Sequence, residues 1–165
     1  MKELCQRRFT QKTIRDNIIT IIFAAIDTTS MTLYFVIFIL SNFPEIQNKL
    51  YKELLKIYGT ENLKSAPIKY EDLQYMSYLE CVIKETMTIF PTVPITGRKT
   101  TKDVKMGEFI LPKGANIIIN SMLMHRNKNY WPNPWKFDPD RFLPDKMNNH
   151  SYYYLPFSDG PRNCI

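Results

Sequence analysis

The chain has 165 residues, of which 44% are hydrophobic, so it is long enough to bury the core of one globular domain or of part of one. Its formal net charge of +6 comes from scattered lysines and arginines, without the basic stripe and interleaved aromatics of a nucleic-acid-binding surface, and we predict no nucleic-acid partner. Three distant cysteines, Cys5, Cys81 and Cys164, disfavour a secreted disulfide framework, and the isolated His125 and His150 argue against a zinc site.

The first predicted element is a long apolar helix over residues 18–40, in which Asp27 is the one charged residue. The segment is long enough to cross a bilayer, but a carboxylate near its middle costs about 2.5–3.5 kcal/mol on insertion scales. A helix that is apolar on all sides also suits the buried centre of a large protein. We favour the buried helix and keep a single-pass membrane helix as the alternative. Residues 1–12 are polar and basic, unlike a signal peptide.

Two amphipathic helices are predicted within residues 43–91. The first starts at residues 41–45 (SNFPE), which combine a capping side chain, a proline and an acid, and it ends at Gly59. The second covers about residues 75–90, and Pro91 prevents its continuation. Their apolar positions recur at helical spacing, namely Ile46, Leu50, Leu54 and Ile57 in the first helix and Leu79, Ile83 and Phe90 in the second.

Short strands and a meander follow Pro94. Residues 104–106 and 108–111 flank Gly107 and predict a hairpin, and residues 115–119 predict another strand after a Pro-Lys-Gly turn. Prolines then recur through the segment 121–156 and prevent long regular structure. We therefore expect a mainly α fold with small β-sheets.

The last nine residues, FSDGPRNCI, carry the most specific chemistry in the sequence. Gly160 gives the backbone the freedom to turn and to present its amides to the sulfur of Cys164. Arg162 favours the ionised thiol, and Phe157 is expected to cover it and to exclude water. A lone cysteine is more often an inert buried residue. At average composition, however, the pattern F-x-x-G-x-R-x-C arises by chance in a chain of this length on the order of once in several thousand.

This pattern resembles the haem-binding signature of the cytochrome P-450 family, and the resemblance extends through nearly the whole chain in the family's order. Residues 24–29 (AAIDTT) are similar to the family's central-helix motif. The resemblance implies that Asp27 and Thr28 relay protons during oxygen activation, in a helix that opens locally. Ala25 replaces the usual glycine, which implies a narrower oxygen groove. The competing interpretation of Asp27 is a helix-packing polar residue with a hidden partner.

Residues 84–88 (KETMT) resemble the family's E-x-x-R helix, except that Thr88 stands where the arginine belongs. Residues 139–142 (PDRF) match the later element that contributes a second arginine, Arg141. The resemblance implies that Glu85 and Arg141 pair in a buried network that has lost one member. We expect weaker haem retention, and we expect Thr88→Arg to raise haem occupancy and thermal stability.

The resemblance also implies a set of cofactor contacts and a partial fold. Arg98 matches the arginine that reaches a haem propionate, although an exposed strand arginine is the competing interpretation. The implied haem b contacts are Cys164 as the metal ligand, with Arg162, Phe157, Gly160 and Arg98. The implied domain is an incomplete cytochrome P-450 fold, from the central helix region (1–42) through the two helices (43–91), the small-sheet region (92–120) and the meander (121–156) to the cysteine haem loop (157–165).

The implied activity is a monooxygenase reaction, in which one atom of dioxygen enters a lipophilic substrate. The resemblance is to microsomal animal enzymes of the fatty-acid hydroxylase branch, which implies an NADPH-dependent flavoprotein reductase and the cytosolic face of the endoplasmic reticulum membrane. It also implies an N-terminal anchor and a helix after Cys164 that this sequence lacks. Because the N-terminal dipole of that helix would support the thiolate, we expect the isolated chain to bind haem poorly and to be inactive. The remaining alternatives are the single-pass membrane protein and a non-catalytic helical interaction fragment.

Overall fold

A computed structural model describes residues 9–62, 67–146 and 153–164, so Cys5 and His150 lie outside the described residues. The helices are α1 (Gln11–Asn42), α2 (Pro44–Asn62), α3 (Ser77–Ile89) and α4 (Ser121–His125), with short 3-10 helices at Tyr70–Tyr75 and Pro139–Phe142. The strands are β1 (Ile95–Lys99), β2 (Val104–Met106), β3 (Phe109–Leu111) and β4 (Asn116–Asn120). The expected mainly α fold with small β-sheets is confirmed.

The helix ends follow local capping chemistry. The hydroxyl of Thr10 accepts a hydrogen bond from the Thr13 amide at 3.1 Å and so caps the start of α1. Pro44 occupies the first position of α2, where a missing N–H costs nothing. Gly59 adopts φ 73°, a left-handed conformation that interrupts α2 where the sequence predicts a stop. The predicted start of α2 is therefore confirmed, whereas the predicted end at Gly59 is an interruption, since α2 continues to Asn62.

The four strands form two separate antiparallel pairs. Strand β1 pairs with β4, and the predicted hairpin forms from β2 and β3 with Val104 opposite Leu111. Thr100 joins the two sheets, because its hydroxyl donates to the Pro112 carbonyl at 2.6 Å and accepts from the Ala115 amide at 2.9 Å. This buried hydroxyl fixes the chain between the sheets, so the orientation of β1 does not depend on the strands alone.

Helix α3 lies at the centre of the fold and packs against α1, α2, α4 and the turn at Pro139–Phe142. The predicted apolar residues Leu79, Ile83 and Phe90 are only half-buried, although Leu79 packs against the core. A helix with partners on several sides buries more than one stripe, including polar residues. Its buried residues are Tyr78, Cys81, Val82, Glu85, Thr86 and Thr88, and the core is completed by Ile46, Leu50, Trp131 and Phe142.

Helix α1 is much less buried than the sequence predicts. Val36 and Ile39 are its buried residues, whereas Phe23 is 68% exposed. Phe35 stacks on Phe90 of α3 with 4.5 Å between the ring centroids, so the contact with the core lies in the last third of the helix. The prediction of a buried central helix is therefore wrong for the described residues, because the packing partners of α1 meet only one end of it. Within those residues α1 is also the helix whose length and apolarity would suffice to span a bilayer.

Candidate functional site

A cavity of about 480 Å³ lies between α1, α3, the β1–β4 sheet and the loop formed by residues 157–164, which we call the cysteine loop. Its size is typical of a small-molecule site. The predicted site residues that line it are Thr28, Arg98, Phe157, Arg162 and Cys164. The remaining predicted residues, Asp27, Gly160, Glu85 and Arg141, do not line it. The fold thus brings one helix, one strand and the cysteine loop to a single cavity.

The cysteine loop is closed by backbone hydrogen bonds. The Cys164 amide donates to the Phe157 carbonyl at 2.9 Å, and the Asn163 amide donates to the Gly160 carbonyl at 3.2 Å. Gly160 adopts φ 79°, which a residue with a side chain rarely tolerates. Cys164 is exposed and the Phe157 side chain is 58% exposed, so the prediction that this ring covers the thiol is wrong for the described chain. The Phe157 carbonyl closes the loop, while its ring lies at the cavity wall.

Two guanidinium groups line the cavity together with the thiol. Arg98 is a half-buried residue of β1, and its Nη2 donates to the Arg162 carbonyl at 3.4 Å, which links the strand to the cysteine loop. The lining also includes the apolar residues Ile83, Met87 and Leu155. A thiolate binds iron, guanidinium groups bind carboxylates bidentately, and apolar walls suit a macrocycle. This donor set fits haem.

The two predicted proton-relay residues are placed differently. Thr28 lines the cavity, and its hydroxyl donates to the Ala24 carbonyl at 2.8 Å. Asp27 is exposed and points outside the cavity lining. Helix α1 is continuous through both residues, so the predicted local opening is wrong for the described chain. Ala24 and Ala25 are strong helix formers, and the threonine hydroxyl bonds back to the preceding turn instead of opening it.

Glu85 of α3 and Arg141 form a buried ion pair. Glu85 is 0% exposed, and the Arg141 Nε lies 3.2 Å from its Oε1 and 3.1 Å from its Oε2. The Asp138 amide also donates to Oε1, at 2.9 Å, whereas Oε2 accepts no well-directed hydrogen bond from the described residues. Burial raises the pKa of Glu85 to about 7, against the opposing effects of Arg141 and the Asp138 amide.

The same arginine also holds the loop that precedes it. Its guanidinium donates to the carbonyls of Pro132 at 3.0 Å, Lys136 at 3.0 Å and Asp138 at 3.2 Å. The Thr88 hydroxyl donates to the Lys84 carbonyl at 3.0 Å, so position 88 supplies no donor to Glu85. The network therefore relies on one cation, Arg141, to tie the meander to α3.

His125 is fully buried, and its ring lies edge-on to that of Trp131. Burial lowers the pKa of its imidazole to about 4, and a hydrogen bond with the Thr88 backbone opposes this shift. Such a residue packs the core. The sequence interpretation missed the lining residues Met87, Ser121 and Leu155. The four-residue spacing of Ile83 and Met87 on α3 was an available signal for the first.

Comparison with known proteins matches the chain to one family. A family model described as Cytochrome P450 matches residues 1–165. Curated relatives include Cytochrome P450 4V2 of Mus musculus, 39% identical over 159 residues, and Cytochrome P450 4c3 of Drosophila melanogaster, 40% identical over 153 residues. These alignments cover 96% and 92% of this chain but 30% and 28% of the relatives, so the chain spans less than a third of their length. Since the family model matches all 165 residues, the chain belongs to the cytochrome P450 family.

Proposed function

We propose that the chain is the haem-binding part of a haem-thiolate monooxygenase, which inserts one atom of dioxygen into a lipophilic substrate and reduces the other to water. One observation carries the proposal: Cys164, Arg98 and Arg162 meet at one cavity although Arg98 lies 64 positions before Arg162. In a surface loop without a binding role, nothing requires a thiol and two guanidinium groups to meet apolar residues at one cavity. Family membership supports the same reaction class.

The proposed roles follow from the chemistry of each side chain. Haem b, when bound, supplies the activation of dioxygen. Cys164 would hold the haem iron through Sγ. Arg98 and Arg162 are proposed to bind the two carboxylates of haem. Phe157 and Gly160 shape the loop that presents the sulfur.

Thr28 and Asp27 are proposed to supply protons. The Thr28 hydroxyl lies in the cavity lining and can hold a proton at Oγ1 once it turns away from the Ala24 carbonyl. Asp27 precedes it and is exposed, so it exchanges protons readily with water. We propose that the carboxylate takes protons from solvent and that the hydroxyl delivers them into the cavity.

The partners and location are proposed from the resemblance to the fatty-acid hydroxylase branch. They are an NADPH-dependent flavoprotein reductase that supplies two electrons, and the cytosolic face of the endoplasmic reticulum membrane. The apolar residues of the cavity, including Leu33, Ile83 and Ile119, support a lipophilic substrate.

Haem titration tests the proposed function. The 165-residue chain, and a complete relative in which it replaces the matching segment, are titrated with haem and then reduced under carbon monoxide. We expect the chimera to give the absorption spectrum of thiolate-ligated haem, and we expect Cys164→Ser to abolish it. Cys81→Ser is the matched control, because Cys81 is buried in the core outside the cavity lining. A chimera that binds haem without the thiolate spectrum would overturn the proposal.

A second candidate, the single-pass membrane protein, is favoured by the exposed apolar surface of α1. Asp27 and the hydroxyl residues around it count against that role. Protease protection in membranes separates the two candidates. Opposite exposure of the flanks of residues 18–40 would support the membrane helix. A haem titration without any change in the Soret band would favour a non-catalytic interaction fragment.

A further inference from the structure

Two complementary polar atoms are buried near Arg141 without a hydrogen bond among the described residues. One is Oε2 of Glu85, an acceptor, and the other is the hydroxyl of Tyr154, a donor. The Tyr154 ring packs edge-on against Phe142 with 4.9 Å between centroids, and it stacks on His125 at 6.0 Å. Phe142 directly follows the arginine that contacts Glu85, so the phenol and the carboxylate belong to the same core.

Oε2 of Glu85 lies 3.1 Å from the Arg141 Nε but accepts no well-directed hydrogen bond, and the Tyr154 hydroxyl has no acceptor among the described residues. A buried donor and a buried acceptor without hydrogen bonds are each costly, and the cost falls when they satisfy one another. The two groups are also within electrostatic reach. Burial, and after it the negative charge of Glu85, raises the pKa of the Tyr154 hydroxyl. A rotation of the side chains or one buried water between them would complete a hydrogen bond.

We propose that the Tyr154 hydroxyl is the second donor to the Glu85 carboxylate, directly or through one buried water. Position 88 does not fill this role, because the Thr88 hydroxyl donates to the Lys84 carbonyl at 3.0 Å. Tyr154 is thus a positioning residue. It acts through Glu85 and Arg141 on the loop that Arg141 holds, and this role does not depend on haem.

The charged groups around Glu85 determine the pH values at which the proposal is tested. Arg141 and Asp138 face it from the meander, and Arg141 lowers its pKa while the Asp138 carboxylate raises it. On α3 itself, Lys84 and Glu80 pair with each other at 2.6 Å. From α4, His125 is neutral above about pH 4. Above pH 7 the surroundings of Glu85 therefore keep a constant charge, and the phenol donates to an ionised carboxylate.

A hydrogen-bond donor stabilises the ionised carboxylate more than the neutral acid. Tyr154→Phe removes the donor and keeps the ring, so we expect the pKa of Glu85 to rise by about one unit, a tenfold change in proton affinity. The folded state should consequently lose more stability at pH 8, where Glu85 is ionised, than at pH 5, where it is protonated.

The test is a double-mutant cycle on the 165-residue chain. Wild type, Tyr154→Phe, Glu85→Gln and the double variant are unfolded with denaturant at pH 5 and pH 8. We expect Tyr154→Phe to shift the unfolding equilibrium about fivefold further at pH 8 than at pH 5, and we expect the difference to vanish in the Glu85→Gln background. Tyr153→Phe is the matched control, since the Tyr153 ring stacks on Tyr130 at 4.0 Å and its loss should not depend on pH.

A further variant keeps the test decisive if Tyr154→Phe alone does not fold. Thr88→Arg supplies new donors beside Glu85, so the Tyr154→Phe change in that background should fold and should show no extra loss at pH 8. An equal loss at both pH values in the wild-type background overturns the proposal. So does a pH-dependent loss that persists when Glu85 is glutamine, or a Thr88→Arg background that leaves the loss unchanged.

Discussion

The two halves of the molecule differ in what holds them together. Beneath α3, Trp131 and Glu85 are fully buried, and Arg141 donates to several carbonyls and to the carboxylate. Around the cavity, Cys164 and much of α1 are exposed, and the cysteine loop is arranged by its own backbone hydrogen bonds. The first half depends on side chains that are distant in sequence, whereas the second depends mainly on local backbone geometry, with the Arg98 guanidinium linking β1 to the cysteine loop. Stability and binding chemistry are therefore carried by different residues.

The largest change in stability should come from the half of the molecule around the Glu85–Arg141 pair, with Arg141→Ala. This change leaves Glu85 as an uncompensated buried carboxylate and releases the carbonyls of Pro132 and Lys136, so we expect a loss of about 3–5 kcal/mol in the free energy of unfolding. Denaturant unfolding at pH 8 measures it. Lys136→Ala, which removes a side chain that is 69% exposed, is the control and should cost little. A loss no larger than that of the control would show that the network does not support the fold.

A smaller, pH-dependent effect is expected for Glu85→Gln. The pKa of Glu85 is raised from 4.5 to about 7 in the folded state, so its contribution to stability is complete below pH 4.5 and is lost as the pH rises through 7. This contribution amounts to about 3 kcal/mol. The free energy of unfolding of the variant, relative to that of wild type, should therefore increase from pH 5 to pH 8. Denaturant unfolding measures it. Glu80→Gln, on the exposed side of α3, should show no such trend, and parallel pH profiles of Glu85→Gln and wild type would refute the expectation.

The smallest effect is expected in the open half, with Gly160→Ala. No atom lies within 4 Å of a Cβ built at Gly160, so the cost comes from its φ of 79° alone and should be about 1 kcal/mol. Gly97→Ala is the matched control, because Gly97 also has open space around it but no left-handed conformation. Thermal unfolding of both variants measures the difference. A cost of several kcal/mol at Gly160 would place the cysteine loop among the packed elements.

The sequence predicts those parts of the fold that depend on local signals. Pro44 and Gly59 mark the start and interruption of α2, and Gly107 lies in the turn of the hairpin, because each residue acts on its own backbone. The motifs also predict Arg98, Arg162 and Cys164 as site residues. The structure adds that they line one cavity.

The remaining features depend on contacts that no local pattern encodes. The Glu53 carboxylate of α2 accepts hydrogen bonds from the Tyr78 and Leu79 amides at 2.7 and 3.0 Å, and so caps α3 from more than twenty positions away. The burial of α1 was overestimated because an apolar helix is buried only where other elements meet it. The same holds for Phe157, whose ring orientation is set by its neighbours and not by the motif.

Folding changes the protonation states of the buried Glu85 and His125 in opposite directions. In the unfolded chain between pH 4.5 and 6.5, the carboxyl group is ionised and the imidazole carries the proton. In the folded chain the order is reversed, since the pKa of Glu85 is raised to about 7 and that of His125 is lowered to about 4. The stability that Glu85 adds on acidification is offset by the loss from His125 as the pH falls from 6.5 toward 4. In this pH range folding therefore removes a proton from His125 and adds one to Glu85, with almost no net proton exchange with the buffer.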